Sequence, residues 1–204
     1  MFNQLVRSLN FIYRCGYVIK EGIWCRIHSN PASLTNFVKS IAKMDNFNLK
    51  LDGEDNEPNV VFTTPSHMES LQSNSNFSIE NASEFLSEKP DFKNSKVAAC
   101  TEMDDNGKIT IYICPELFIN EINRASRKHW DKGISAAATI LHEFWHYRQL
   151  TYLIEKGGVE MATDVLESEN DFLYGDSLLE SGAFEYGFSL GLIEQDLEEI
   201  EPVK

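Results

Sequence analysis

The sequence predicts an α+β fold, in which a small, mostly antiparallel sheet packs on a helical half. Three observations lead there. Two β-rich runs, "KVAACTEM" and "KITIYIC", flank a short Asp-Asn-Gly turn, the pattern of a β-hairpin. From Pro115 onward the apolar residues recur at helical spacing instead. The strand-like runs therefore precede a helical half and do not alternate with helices, which separates α+β from a doubly wound α/β sheet.

The elements follow in chain order. Phe2, Leu5, Val6, Leu9, Ile12 and Tyr13 share one helical face, with no acidic residue before Glu21. Such a face suits an interfacial helix or a transit peptide; the simpler expectation is that it packs on its own domain. "NPASLTNFVKSIAKM" predicts a second helix with Ser33 as N-cap. "FNLKL" and "NVVFTT" read as strands around the acidic turn "DGEDNEPN", which lacks the ligand order of a calcium loop. Residues 65–95, rich in Ser, Asn and Glu, read as a linker or a loop over the site, with one helical turn at "IENASEFL". After the hairpin, "PELFINEINRASRKHW" opens a helix on proline. "ISAAATILHEFWHYRQLTYLIEK" is the next helix and stops at Gly157-Gly158. "VEMATDVLESEN" and "DSLLESGAFEYGFSLGLIEQDLEE" are two more. The expected division is residues 1–95, without an assignment, and a core over 96–204, joined as one compact unit.

Composition narrows the function classes. The net charge of −14 argues against non-specific nucleic-acid binding, because phosphate repels such a surface. Residues 1–50 hold seven basic residues against two acidic ones, a net +5, so the rest carries −19. The basic residues are scattered, which favours pairing within the fold. Four cysteines without a Cys-x-x-Cys pair, no secretory leader pattern and no run of transmembrane length fit a reduced, cytoplasmic protein, with membrane contact not expected.

"ILHEFWHYRQL" carries the chemistry. On a helix, His142 and His146 lie on one face a turn apart and can share an ion, while Glu143 projects about 100° around, beside the metal and not onto it. That order supplies two ligands and one base from a single turn, and it points to zinc (Zn2+). The alternative is that these are ordinary core or surface histidines. A catalytic site needs a third ligand. The residues after His146 lack the glycine and third histidine of the metzincins. Glu167, with Asp171 four residues on, is ordered as in thermolysin-like sites, but the rest of that motif is missing. Glu180 shares a helical face with Ala183, Gly187 and Gly191, whereas Glu185 points more than about 90° away. A face of small residues lets helices approach closely, as Ser135 and Thr139 also do just before His142. That reasoning selects Glu180, ahead of Glu185, Glu167 and Asp176, with His129 as an outsider.

With these residues the chain resembles small gluzincin-type zinc metallopeptidases, nearest to the ImmA/IrrE-like group, which is often carried by mobile elements. That group follows its His-Glu-x-x-His helix with Glu-x-x-Ala-Asn-x-Phe-Ala. Here the stretch is Glu180-Ser-Gly-Ala183-Phe184-Glu185-Tyr186-Gly187, in which Phe184 departs from the asparagine. "ITIYICPELF" is similar to the strand-then-helix lead-in of these folds, where an edge strand pairs with extended substrate. The resemblance covers residues 105–193. It implies hydrolysis of a peptide bond in a specific protein, with zinc held by His142, His146 and Glu180 and Glu143 as general base. Tyr186, Tyr174 and Arg148 are candidates for a hydrogen bond to the oxyanion, and Glu185 or Asp176 for orienting a ligand histidine. The alternatives are a non-catalytic, zinc-stabilised interaction protein and a membrane-surface protein acting through its basic amphipathic N-terminus.

Overall fold

The computed structural model describes residues 2–27, 31–74, 98–119, 129–169 and 177–200. The first helix, α1, spans Phe2–Ile27 and the second, α2, spans Pro31–Asp45. The latter begins on its proline, whose fixed φ and missing N–H suit the first helical position, so Ser33 lies inside the first turn and is not the N-cap.

"FNLKL" is not a strand. Asn46 turns the chain with a φ of 53°, and Phe47 lies flat on Phe144 with ring centroids 3.9 Å apart. Only Leu51 makes an isolated bridge, to Val60. Strand β1 is Val60–Phe62, and the chain then enters α3, Pro65–Asn74, where the sequence suggested a loop. Proline again starts the helix, the Thr64 hydroxyl accepts from the His67 N–H at 3.4 Å, and Met68 anchors one face in the interior. The expected helical turn at "IENASEFL" lies outside the described residues.

The hairpin forms as expected, with β2 at Ala99–Met103 and β3 at Ile109–Ile113. Asp104 Oδ1 accepts from the N–H groups of Asn106 and Lys108, and Gly107 takes the positive φ of 79° that closes the turn. The sheet order is β1-β3-β2, with β1 parallel and β2 antiparallel to β3. "ITIYI" is thus the central strand, and the outer side of β2 has no strand beside it among the described residues.

The sheet packs on α4, which runs over His129–Glu169 and leaves helical geometry at Gly158 (φ 83°, ψ −179°), where the sequence placed its stop. One core joins α1, α2, the sheet and α4 through Val18, Phe37, Ile111, Ile113, Ile140 and Phe144. The last helix, α5, is Leu178–Phe188, capped by Ser177. It is shorter than the sequence suggested. Ser189 Oγ accepts from the N–H groups of Leu192 and Ile193, Leu190 and Gly191 adopt positive φ, and among the described residues only a 3-10 turn at Leu197–Glu199 follows. Gly191 is therefore not on the Glu180 face. It sits where an added Cβ would meet Arg14, Asp45 and Tyr186 side chains at 2.9–3.0 Å.

Helix α1 does not bury its apolar stripe. Leu5, Leu9, Ile12 and Tyr13 are exposed, because packing on the core starts further along, from Cys15, Tyr17 and Val18. A Cβ on Gly22 would stand 2.2 Å from Gly133 Cα of α4, so the two backbones meet there without side chains between them. Gly22→Ala is expected to destabilise the protein by about 1–3 kcal/mol through overpacking. Gly16→Ala, whose Cβ meets nothing within 4 Å, is expected to be neutral or slightly stabilising. Urea unfolding of both variants checks this; equal stabilities would mean that α1 does not cross α4 at Gly22. Among the described residues, no helix is long and apolar enough to cross a membrane.

Candidate metal centre

Helix α4 presents His142 and His146 on one face, and α5 lies against that face because it is lean. A Cβ on Gly187 would stand 2.6 Å from the Ala138 carbonyl oxygen and 3.5 Å from His142 Cβ. Ala183, one turn before Gly187, is fully buried. This close approach brings the short Glu180 side chain to the histidines. Its Oε2 lies 3.3 Å from His142 Nε2 and its Oε1 lies 3.4 Å from His146 Nε2. The two Nε2 atoms are 3.0 Å apart, and one ligand atom from each residue falls within 4.8 Å of the others.

Among the described residues, buried Glu180 Oε2 makes no hydrogen bond of good geometry, although His142 Nε2 lies 3.3 Å away, an arrangement that costs free energy unless something else satisfies the oxygen. Two imidazole nitrogens and a carboxylate converging on one point, with an orphaned oxygen among them, can hold a metal ion. Phe184, at the position that departs from the resembled motif, packs edge-on against the His142 ring at 4.8 Å and restricts its orientation.

The protons of this cluster are shifted. Burial disfavours an imidazolium at His146, but the carboxylate of Glu180, with a smaller push from Glu143, raises its pKa to about 9. Burial likewise works against the Glu180 anion, yet the two histidines hold it well below the usual carboxylate range. Since the folded pKa of His146 exceeds its unfolded value of about 6.5, its contribution to stability is present below that value and lost as pH rises through about 9. A metal must displace the same proton. Apparent zinc affinity is therefore expected to rise roughly tenfold per pH unit between about 6.5 and 9, then level off. Chelator competition across that range checks this; a flat profile would show that His146 does not carry the proton.

Glu143 is buried on the neighbouring side of α4, facing β2. Thr101 Oγ1 donates to its Oε2 at 2.8 Å and lies 3.2 Å from its backbone oxygen. Thr101 was not singled out from sequence; its place beside an asparagine-glycine hairpin turn carries no chemical signature. Burial, together with the nearby Glu143 and Glu102 carboxylates, pushes the Cys100 thiol far up, so it is not a thiolate near neutrality.

The other candidates lie elsewhere. Tyr186 and Arg148 form a separate cluster with Asp45 of α2: the tyrosine hydroxyl donates to Asp45 Oδ1, and Arg148 donates to that hydroxyl at 2.5 Å and to Asp45 Oδ2 at 2.8 Å. None of these bonds reaches the histidines or Glu180. Arg14 joins from α1 by donating to the Leu190 carbonyl. Glu185 and Glu167 are exposed. Asp171, Tyr174, Asp176 and the side chain of His129 lie outside the described residues. Comparison with protein-family models, curated proteins and solved structures gives no significant match to this chain.

Proposed function

We propose that this chain is a zinc-dependent peptidase that cleaves a specific protein. The observation that carries the reading is the pairing of a three-ligand cluster with a separate, anchored carboxylate. Structural zinc sites close with four protein ligands, whereas catalytic ones keep a position open. Among the described residues the cluster offers three ligands, His142, His146 and Glu180. Two imidazoles and a carboxylate suit zinc among the common divalent ions.

Zinc bound there would supply a Lewis acid and a water acidified towards neutrality. The chain's own residues do the rest. Thr101 holds one oxygen of Glu143, which leaves the other to take a proton from the attacking water and pass it to the leaving amine. The outer edge of β2, which has no neighbouring strand among the described residues, offers backbone N–H and C=O groups to an extended peptide, next to the strand position that anchors Glu143. The resemblance to gluzincin-type peptidases agrees with the chemistry but implied a substrate edge at "ITIYI"; that strand is central in the sheet, so the edge offered to a peptide is that of β2.

A second reading has the ion only as a staple, since its ligands come from two helices, α4 and α5. A pool of proteome-derived peptides incubated with zinc-loaded protein separates the two. New termini, read by mass spectrometry, that vanish on chelation support the peptidase. Termini that form equally in Glu143→Gln, or that never form with protein carrying zinc, overturn it.

A further inference from the structure

Two glutamines behind the histidine pair, neither one apparent from the sequence motif, form a continuous chain of hydrogen bonds. Gln149 is fully buried on α4, three residues after His146. Its Nε2 donates to the Leu179 carbonyl of α5 at 3.0 Å and to Gln195 Oε1 at 2.7 Å. Gln195, in the segment after α5, donates from its own Nε2 to the Leu178 carbonyl at 2.9 Å.

Direction follows from chemistry. A backbone carbonyl accepts only, so the Gln195 atom facing Leu178 O is its nitrogen, and the oxygen faces Gln149. The Gln149 atom facing both Leu179 O and Gln195 Oε1 must likewise be nitrogen. The remaining Gln149 atom, the carbonyl oxygen, lies 2.9 Å from His146 Nδ1. It can only accept there, so Nδ1 carries a proton. A neutral imidazole with its proton on Nδ1 has its lone pair on Nε2, the atom that faces His142 and Glu180.

We infer that Gln149, oriented by Gln195, is the positioning residue that sets the tautomer of His146 and so presents Nε2 to the metal. The inference rests on the metal reading of the preceding section. Gly182 belongs to the same device. A Cβ there would stand 2.0 Å from Gln195 Oε1 and 3.1 Å from Gln149 Nε2, so glycine leaves the room in which the two amides meet. The second glycine-spaced gap in α5 thus serves the ligand's proton, as Gly187 serves the approach of Glu180.

The test compares zinc affinity with metal-free stability in the full chain, using Gln149→Leu, Gln149→Glu and Gln195→Ala. Leucine removes the acceptor. Glutamate keeps an acceptor for Nδ1–H but points an anion at the Leu179 carbonyl and Gln195 Oε1. Zinc affinity, by chelator competition, is expected to fall about 10–100-fold in Gln149→Leu and less in Gln195→Ala, and to stay near wild type in Gln149→Glu. Metal-free thermal stability is expected to rank the other way for the two Gln149 variants, with glutamate the worse. That opposed ranking is what a merely structural glutamine would not produce. Wild-type zinc affinity in folded Gln149→Leu, or affinity that simply tracks stability, overturns the inference while leaving the metal reading intact. No zinc bound by the wild type overturns the metal reading and this inference with it.

Discussion

Glu180→Ala is expected to bind zinc more than about 100-fold more weakly than wild type, a loss beyond that seen for groups that only orient a ligand. The reason is geometric. Among the described residues, Glu180 alone brings a carboxylate to the two Nε2 atoms, at 3.3 and 3.4 Å, and without it two imidazoles remain of the cluster. A second signature separates this from general damage. The Glu180 charge is the leading cause that raises the His146 pKa, so removing it returns that group towards its ordinary range. The residual affinity of Glu180→Ala should then depend much less on pH between about 6.5 and 9 than that of the wild type. Exposed Glu185 is the control, and Glu185→Ala should leave both properties unchanged. Equilibrium dialysis at two pH values reads all of this. Full zinc occupancy at wild-type affinity in Glu180→Ala would remove Glu180 from the ligand set.

Glu143→Gln is expected to keep zinc within a small factor while hydrolysis falls by about 10²–10⁴-fold, the usual contribution of a general base. Glutamine fills the same space and can still accept from Thr101 through its carbonyl oxygen, so the fold has no reason to change. It cannot take up a proton at working pH. The assay needs the cleavage site found in the peptide pool, followed by single-turnover rates for both proteins. Loss of zinc together with activity would place Glu143 among the ligands instead. Undiminished cleavage would mean that the proton goes elsewhere.

The sequence by itself determined the elements whose signals are local. The hairpin was legible because an Asn-Gly turn between β-rich runs needs no distant partner to be recognised. The histidine pair was legible because four-residue spacing on a helix fixes two side chains on one face. Glu180 could be chosen over Glu185 because Ala183, Gly187 and Gly191 suggested the side on which another backbone would lie; α4 does meet α5 at Gly187, while Gly191 falls beyond the end of the helix. Errors fell where tertiary contacts compete with local preference. "FNLKL" has strand composition, yet Phe47 gains more by stacking on Phe144 than by extending into a ladder. The exposed stripe on α1 has helical periodicity, but periodicity does not say where along a helix the neighbouring body begins.

Tertiary structure alone decided the surroundings of the site. Thr101 meets Glu143 across 42 positions, and Gln195 meets Gln149 across 46, distances over which no residue pattern registers. Tyr186 shows the same limit. Its place in the α5 motif made it a candidate for the reaction, and its hydroxyl instead closes a cluster with Asp45 and Arg148. A motif specifies which atoms can face one ion, because backbone geometry repeats. Which way an amide points, and which proton a histidine keeps, depends on carbonyls that only the packed chain brings within 3 Å.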